Sequence, residues 1–320
     1  MSKLGLHVVM GSRRGYGDML RRCAQASQPV PLVKAVDEGG CLLEAKGYSA
    51  RTVTIFRTRV HGDLPGGNFQ GNPYQVAEAW MNGQMPIWRR NPADYYEVIN
   101  EPDPPTLEGY LWLNLFMEQC IHIADAQGFR LALYSFAAGV PEIDEFARLA
   151  PSLKLAKRGG HILSLHEYGI PKSMRASYPA ITTRYRSFYA NVMVPMACVI
   201  PVAITEAAPN GGHNWGGEDF FLSEVTWYDT ELMRDPYVIG AALFTLGDGG
   251  GQWTGANFEA ALPALGTWII AHPTPEKPVS NRQYAVWTDN AALHSVLLNY
   301  AQHLAVEMRA EVWPEDRPKP

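Results

Sequence analysis

Tyr95-Tyr96-Glu97-Val98-Ile99-Asn100-Glu101-Pro102 runs from an aromatic and β-branched strand into an acidic residue and a proline. Such side chains suit a buried strand, and Pro102 stops the ladder by removing a donor. A second stretch, Pro201-Val202-Ala203-Ile204-Thr205-Glu206-Ala207, is built the same way and also ends on a glutamate. Working outward, similar short apolar segments lie at 4–10, 32–37, 51–59, 130–136, 161–168 and 240–246. Residues 95–101 are therefore the fourth of eight strands and 202–206 the seventh. Helical periodicity fills the gaps at 18–26, 41–48, 73–81, 107–127, 143–158, 182–193, 223–233 and 262–271. Strict alternation of this kind predicts a (β/α)8 TIM barrel. The rival, an open doubly wound sheet, wants a G-x-G-x-x-G turn after the first strand. Gly11-Ser12-Arg13-Arg14-Gly15-Tyr16-Gly17 is glycine-rich but lacks that spacing.

The chain has 320 residues, which suits one barrel with an extension. Hydrophobic residues at 47% and charged residues at 18% allow a large core and exclude a disordered chain. A net charge of −5, with no Lys/Arg-rich block, excludes a nucleic-acid partner. No stretch reaches the roughly 20 apolar residues of a membrane helix. The N-terminal apolar run is followed at once by Ser12-Arg13-Arg14, too soon for a signal peptide, so the expectation is a soluble, cytoplasmic chain. Cys23, Cys41, Cys120 and Cys198 form no C-x-x-C pair and read as reduced, packed thiols. G-x-S-x-G, G-x-x-x-x-G-K-[ST] and H-E-x-x-H are all missing, and the histidines are scattered, so neither a metal nor a cofactor is expected.

After residue 272 the composition changes. Pro273, Pro275 and Pro278 mark a linker. Residues 281–312 lack glycine and proline, and Leu293, Leu297, Tyr300 and Leu304 form a helical stripe. The expected organisation is a barrel over 1–272 and, over 273–320, a linker plus a C-terminal helical extension. That helix either packs on the barrel or associates with a second copy as a homodimer.

The chemistry follows from where the glutamates stand. Side chains at the C-terminal ends of barrel strands face one cleft, and the long polar loops 61–72, 102–105, 169–179, 207–220 and 247–256 all leave from that end. Two carboxyl groups across a cleft can cleave an acetal, one protonating the leaving oxygen while the other attacks carbon or activates water. Glu101 and Glu206, at the ends of strands 4 and 7, satisfy that demand.

The stretch Asn100-Glu101-Pro102 on strand 4, with a glutamate ending strand 7, resembles the clan A retaining glycoside hydrolases, a (β/α)8 superfamily of cellulases, mannanases, xylosidases and β-galactosidases. The likeness implies Glu101 as acid/base, Glu206 as nucleophile, and Asn100 on the sugar 2-hydroxyl. It implies a carbohydrate substrate, a β-glycosidic bond, and carboxyl groups about 5–5.5 Å apart. His166 or Tyr168 on strand 6 would orient the nucleophile. Arg57 on strand 3 would pair with Glu206, or alternatively with the interior Glu97. Trp253 resembles the tryptophan that floors the catalytic subsite, but it lies beyond Gly247-Asp248-Gly249-Gly250-Gly251. His7 on strand 1 would reach the same cleft. Glu167 is a third strand-end carboxylate and the competitor for the nucleophile; alternation turns it toward the helices. Two other readings remain: a non-catalytic carbohydrate-binding barrel, and a module degrading cell-wall or surface polysaccharide by hydrolysis or lyase chemistry.

Overall fold

The computed structural model describes residues 1–59 and 69–273, together with two short strands at 284–285 and 312–313. Eight parallel strands close into a barrel in sequence order: β1 (Leu4–Val8), β2 (Leu32–Val36), β3 (Val53–Arg57), β4 (Tyr95–Glu97), β5 (Leu131–Phe136), β6 (Ile162–Tyr168), β7 (Val202–Ala208) and β8 (Val238–Leu246). The helices are α1 (Tyr16–Gln25), α2 (Gly40–Tyr48), α3 (Pro73–Arg90), α4 (Leu107–Gln127), α5 (Ile143–Ala147), α6 (Ala150–Gly159), α7 (Tyr185–Phe188), α8 (Glu218–Leu232) and α9 (Leu262–Ala271). The (β/α)8 expectation holds. The chain divides into two compact units, Met1–Pro273 and Thr274–Pro320. In the second, β9 (Tyr284–Ala285) and β10 (Val312–Trp313) pair in parallel. Tyr284–Ala285 and Val312–Trp313 are extended, and the rest of 281–312, where the sequence predicts a helix, lies outside the described residues. The stripe residues Leu293 to Leu304 lie outside the described residues.

Three element boundaries differ from expectation for identifiable reasons. The helix expected over 143–158 is broken in two, because Pro151 cannot continue a helix and instead opens α6. Helix α3 runs through Pro86 to Arg90, beyond the expected end at 81, because Met85 and Trp88 are buried and tertiary packing overrides the local break. Most consequentially, β4 pairs only over Tyr95–Glu97 and then leaves the ladder. Its departing segment is held elsewhere: Trp80 Nε1 (2.7 Å) and Gln84 Nε2 (2.8 Å) donate to the Val98 carbonyl, and Glu101 N donates to Ser135 O at 2.9 Å.

Inside the barrel, Leu32, Ile55, Ala132, Ile162, Ala203 and Ala242 form a wholly buried apolar plug near the strand starts. Above it the interior turns polar, with Lys34, Glu97, Ser164 and Thr205 all at 0% exposure. Burying this many polar groups is tolerable only if they satisfy one another, and they do. Ser164 Oγ lies 2.6 Å from Thr205 Oγ1, donates to Glu97 Oε1 at 2.9 Å and accepts from Ser135 Oγ at 3.0 Å. This layer is the floor of the cleft.

Candidate active site

Glu206 reaches the cleft through a bulge. Leu165 on β6 pairs with Ile204, but the next residue, His166, pairs with Glu206, so β7 carries one extra residue. Thr205 points inward to Ser164. Simple alternation would then turn Glu206 outward, and the bulge returns it to the inside. Around Glu206 the strands converge. Lys34 Nζ donates to Oε1 at 2.9 Å, Arg57 Nη1 stands 3.4 Å from the same oxygen, and His7 Nε2 stands 3.5 Å from it. Tyr168 donates its hydroxyl proton to Oε2 at 2.7 Å, and His166 Nδ1 is 3.6 Å away. Burial alone would push this carboxyl up. His166 and Lys34, with a hydrogen bond from His7, outweigh burial and hold Glu206 well below the usual carboxylate range.

Glu101 is placed differently. Its side chain is 41% exposed, against 9% for that of Glu206. Its backbone has φ 49°, left-handed for a non-glycine residue and held there by the departing strand. His166 Nδ1 lies 2.9 Å from Glu101 Oε1. One oxygen of each glutamate and a His166 ring nitrogen all lie within 4.8 Å of one another. Asn100 accepts from Arg57 Nη1 and so ties the β3 and β4 ends together.

The cleft holds about 460 Å3 and is bordered by Glu101, Asn100, Arg57, Tyr168, Glu206 and Trp253, with His7 and Phe244 among the rest. Trp253 reaches it although it lies five residues past Asp248. Gly247, Gly249, Gly250 and Gly251 all have φ between 60° and 95°, and Trp253 N closes the turn on Asp248 O at 2.7 Å. A Cβ at Gly249 would lie 2.8 Å from Trp253 Cδ1, so this close return needs glycine. The indole then stands edge-on to Phe244, with centroids 5.0 Å apart. In the neighbouring loop after β7, a Cβ at Gly212 would lie 2.6 Å from the Tyr168 ring, which the loop thereby braces. The wall expected from loop 61–72 falls, over 60–68, outside the described residues.

His7 donates or accepts at Nδ1 with Thr245 Oγ1 (2.9 Å), and burial lowers it to about 4, so it is neutral at pH 7. Glu167 lies on the far side of β6. It accepts from Thr183 N (2.7 Å) and from the Tyr228 hydroxyl (2.6 Å), and burial pushes it up to about 7. It anchors the segment before α7 and does not border the cleft.

At two places the structure decides between alternatives that the sequence leaves open. Arg57 stands at Glu206, 3.4 Å from Oε1, and the interior Glu97 pairs instead with Lys34 at 2.8 Å, because β2 places the lysine directly between Glu97 and Glu206. Lys34 was missed, although a lysine inside Leu32-Val33-Lys34-Ala35-Val36 is the signal that finds it. His166 bonds the strand-4 glutamate at 2.9 Å and stays 3.6 Å from the strand-7 one, leaving Tyr168 as the nearer partner of Glu206. Among the described residues Glu101, His166 and Glu206 could supply three ligands to a divalent cation. Lys34 and Arg57 against the same carboxylate oppose a cation electrostatically.

No protein-family model and no curated protein sequence matches the chain. Solved structures do. The catalytic domain of the GH26 endo-β-1,4-mannanase of Bacillus sp. JAMB-750 shares 12% identity at TM-score 0.50, covering 83% of this chain and 85% of that one. A β-glucuronidase from Ruminococcus gnavus, solved with D-glucuronic acid, shares 11% at TM-score 0.51, covering 84% of this chain but 49% of that one. A GH128 exo-β-1,3-glucanase from Aureobasidium namibiae gives 15% at TM-score 0.44, over 81% and 90%. At these identities the likeness is one of fold: this chain has a (β/α)8 barrel like those of the mannanase and the glucuronidase, with no single family marked out.

Proposed function

We propose that the protein is a retaining glycoside hydrolase acting on β-glycosidic bonds, with Glu206 as nucleophile and Glu101 as acid/base. The observation that carries this reading is the opposed pair itself: two strand-end carboxylates with oxygens within 4.8 Å, one buried and held ionised, the other open to solvent. That approach supports the ~5–5.5 Å separation of retaining enzymes over the wider gap in which inversion places a water. Glu206 attacks the anomeric carbon while Glu101 gives its proton to the departing oxygen. In the second half-reaction Glu101 takes a proton from water, which displaces Glu206 from the sugar. Asn100, fixed by Arg57, presents its amide for the 2-hydroxyl, and Trp253 with Phe244 gives the sugar an aromatic wall.

The test is a panel of nitrophenyl and dinitrophenyl β-glycosides and of β-linked glucans and mannans. Glu206→Gln is expected to abolish turnover. Glu101→Ala is expected to cleave only activated aryl glycosides and, with azide, to yield the β-glycosyl azide. An α-configured first product from the wild type, seen by proton NMR, would falsify retention. Sugar binding without turnover on the whole panel would leave only the binding-barrel reading. An unsaturated product would replace hydrolysis with lyase chemistry.

A further inference from the structure

Glu97 is a buried carboxylate beside the nucleophile that the proposed mechanism does not use. It lies beneath the nucleophile, wholly inaccessible, with its Oε2 2.8 Å from Lys34 Nζ. The same ammonium stands 2.9 Å from Glu206 Oε1. Resting on the retaining reading, the covalent step has a consequence for this lysine. The Glu206 oxygen forms a bond to the anomeric carbon, the bond from that carbon to the leaving oxygen breaks, and its electron pair takes the proton of Glu101. Negative charge thereby leaves Glu206 and appears on Glu101, in the exposed part of the cleft. Lys34, at 0% exposure, would be stranded beside a neutral ester with no access to water. An uncompensated buried cation is among the costliest arrangements in a fold.

We propose that Glu97 is the stored counter-charge of the covalent step: it keeps Lys34 paired when Glu206 becomes neutral, and so acts as a positioning residue that sets the energy of the glycosyl-enzyme. Ser164 fixes Glu97 Oε1 through a hydrogen bond from its hydroxyl, so the carboxylate cannot swing with the reaction. Burial opposes its ionisation, but Lys34, His166 and Arg57 outweigh burial and lower it to about 2, so the charge is in place before substrate arrives. The groups facing Glu206 itself are His7 from β1, Lys34 from β2, Arg57 from β3, and His166 and Tyr168 from β6. Among them Lys34 is the wholly buried ammonium, shared with a second buried carboxylate.

Two measurements test this. Glu206→Gln is a neutral stand-in for the esterified nucleophile. In protein labelled with carboxyl-13C glutamate, Glu97 is identified by the signal lost in Glu97→Asp, which keeps the charge and the fold. In Glu206→Gln the Glu97 signal is expected to stay that of a carboxylate down to pH 4. Protonation of Glu97 above pH 6 in that variant overturns the proposal. The second measurement uses the dinitrophenyl β-glycosides turned over by the wild type. Glu97→Gln is expected to lose at least ~10-fold in kcat/KM, which reports glycosylation, and less in kcat where deglycosylation limits. Its acid limb is expected to move to lower pH, because a negative charge near Glu206 is gone, and Glu97→Asp restores both. Equal losses in kcat and kcat/KM with an unmoved limb mean a merely structural residue and overturn the proposal. A wild type inert on every glycoside sinks the hydrolase reading instead, and the carboxyl titration still decides whether Glu97 stores the charge.

Discussion

Lys34→Met is the substitution with the largest predictable effect on stability. The side chain fits the same volume, so the cost is almost purely electrostatic. Among the described residues it removes the only Lys or Arg paired with Glu97 and one of two, with Arg57, paired with Glu206. Breaking one member of a buried ion pair typically costs about 3–5 kcal/mol. The ionisation of Glu97 sets an upper bound of the same size. Glu97 falls from 4.5 to about 2 on folding, and at about 1.4 kcal/mol per unit this is worth roughly 3 kcal/mol, of which Lys34 supplies the largest part and His166 and Arg57 the rest. Because the folded value is the depressed one, this contribution is complete above pH 4.5 and disappears as pH falls toward 2. A loss of that size lowers Tm by about 10 °C in a barrel of this length.

The assay is urea unfolding followed by circular dichroism at pH 7.5, 6, 5 and 4. In Lys34→Met the stranded carboxylate regains a neutral form by taking up a proton. The deficit against wild type is therefore largest at neutral pH and shrinks on acidification. The double variant Lys34→Met/Glu97→Gln removes both charges and is expected to recover most of the loss. A deficit below about 1 kcal/mol at pH 7.5, or one that is flat from pH 7.5 to 4, refutes the reasoning.

Glu167→Gln tests the opposite sign. Glu167 rises from 4.5 to about 7 on folding, so wild-type stability falls as pH rises through 4.5–7, by about 3 kcal/mol. A glutamine whose oxygen accepts from Thr183 N and Tyr228 keeps the anchor without ionising, so unfolding at pH 4.5 and 7.5 should show a gain at the higher pH only. Tyr168→Phe removes the hydroxyl that bonds Glu206 and should cost about 10–100-fold in kcat with an unchanged melting curve. Trp253→Ala removes the wall against Phe244 and should raise KM far more than it lowers kcat, read from steady-state rates on the best substrate.

How far the sequence could be read differs sharply between strands. Apolar runs with regular spacing are a property of each segment alone, so the barrel and both glutamates stand out. What escaped depends on neighbours. Whether Glu206 faces the cleft is decided by the β6–β7 register, where the extra residue at Thr205 reverses the alternation. The end of β4 is decided by Trp80 and Gln84 reaching across from α3 to the Val98 carbonyl. Lys34 was locally visible as a charge in an apolar strand, but its two partners lie on β4 and β7, far away in the chain. The orientation of Glu167 needed only period-two alternation within β6, and there the sequence reading and the structure agree.

The unequal surroundings of the two glutamates also argue for their order of roles. A nucleophile must hold its charge and its position before substrate binds, which favours burial among fixed donors. An acid/base must exchange its proton with the leaving group and then with water, which favours exposure. Glu206 has Lys34, Arg57 and Tyr168 around it, each anchored on a different strand. Among the described residues Glu101 shares one side-chain hydrogen bond, with His166, and has a backbone in the left-handed region where the strand leaves the barrel. Exchanging the roles would ask the solvent-exposed carboxylate to be the fixed one, and would ask a carboxylate held far below its usual range to carry a proton at neutral pH. The role exchange therefore predicts a measurable reversal, with azide rescuing Glu206→Ala rather than Glu101→Ala as the β-glycosyl azide, and that outcome would require the ion cluster around Lys34 to be rebuilt on substrate binding.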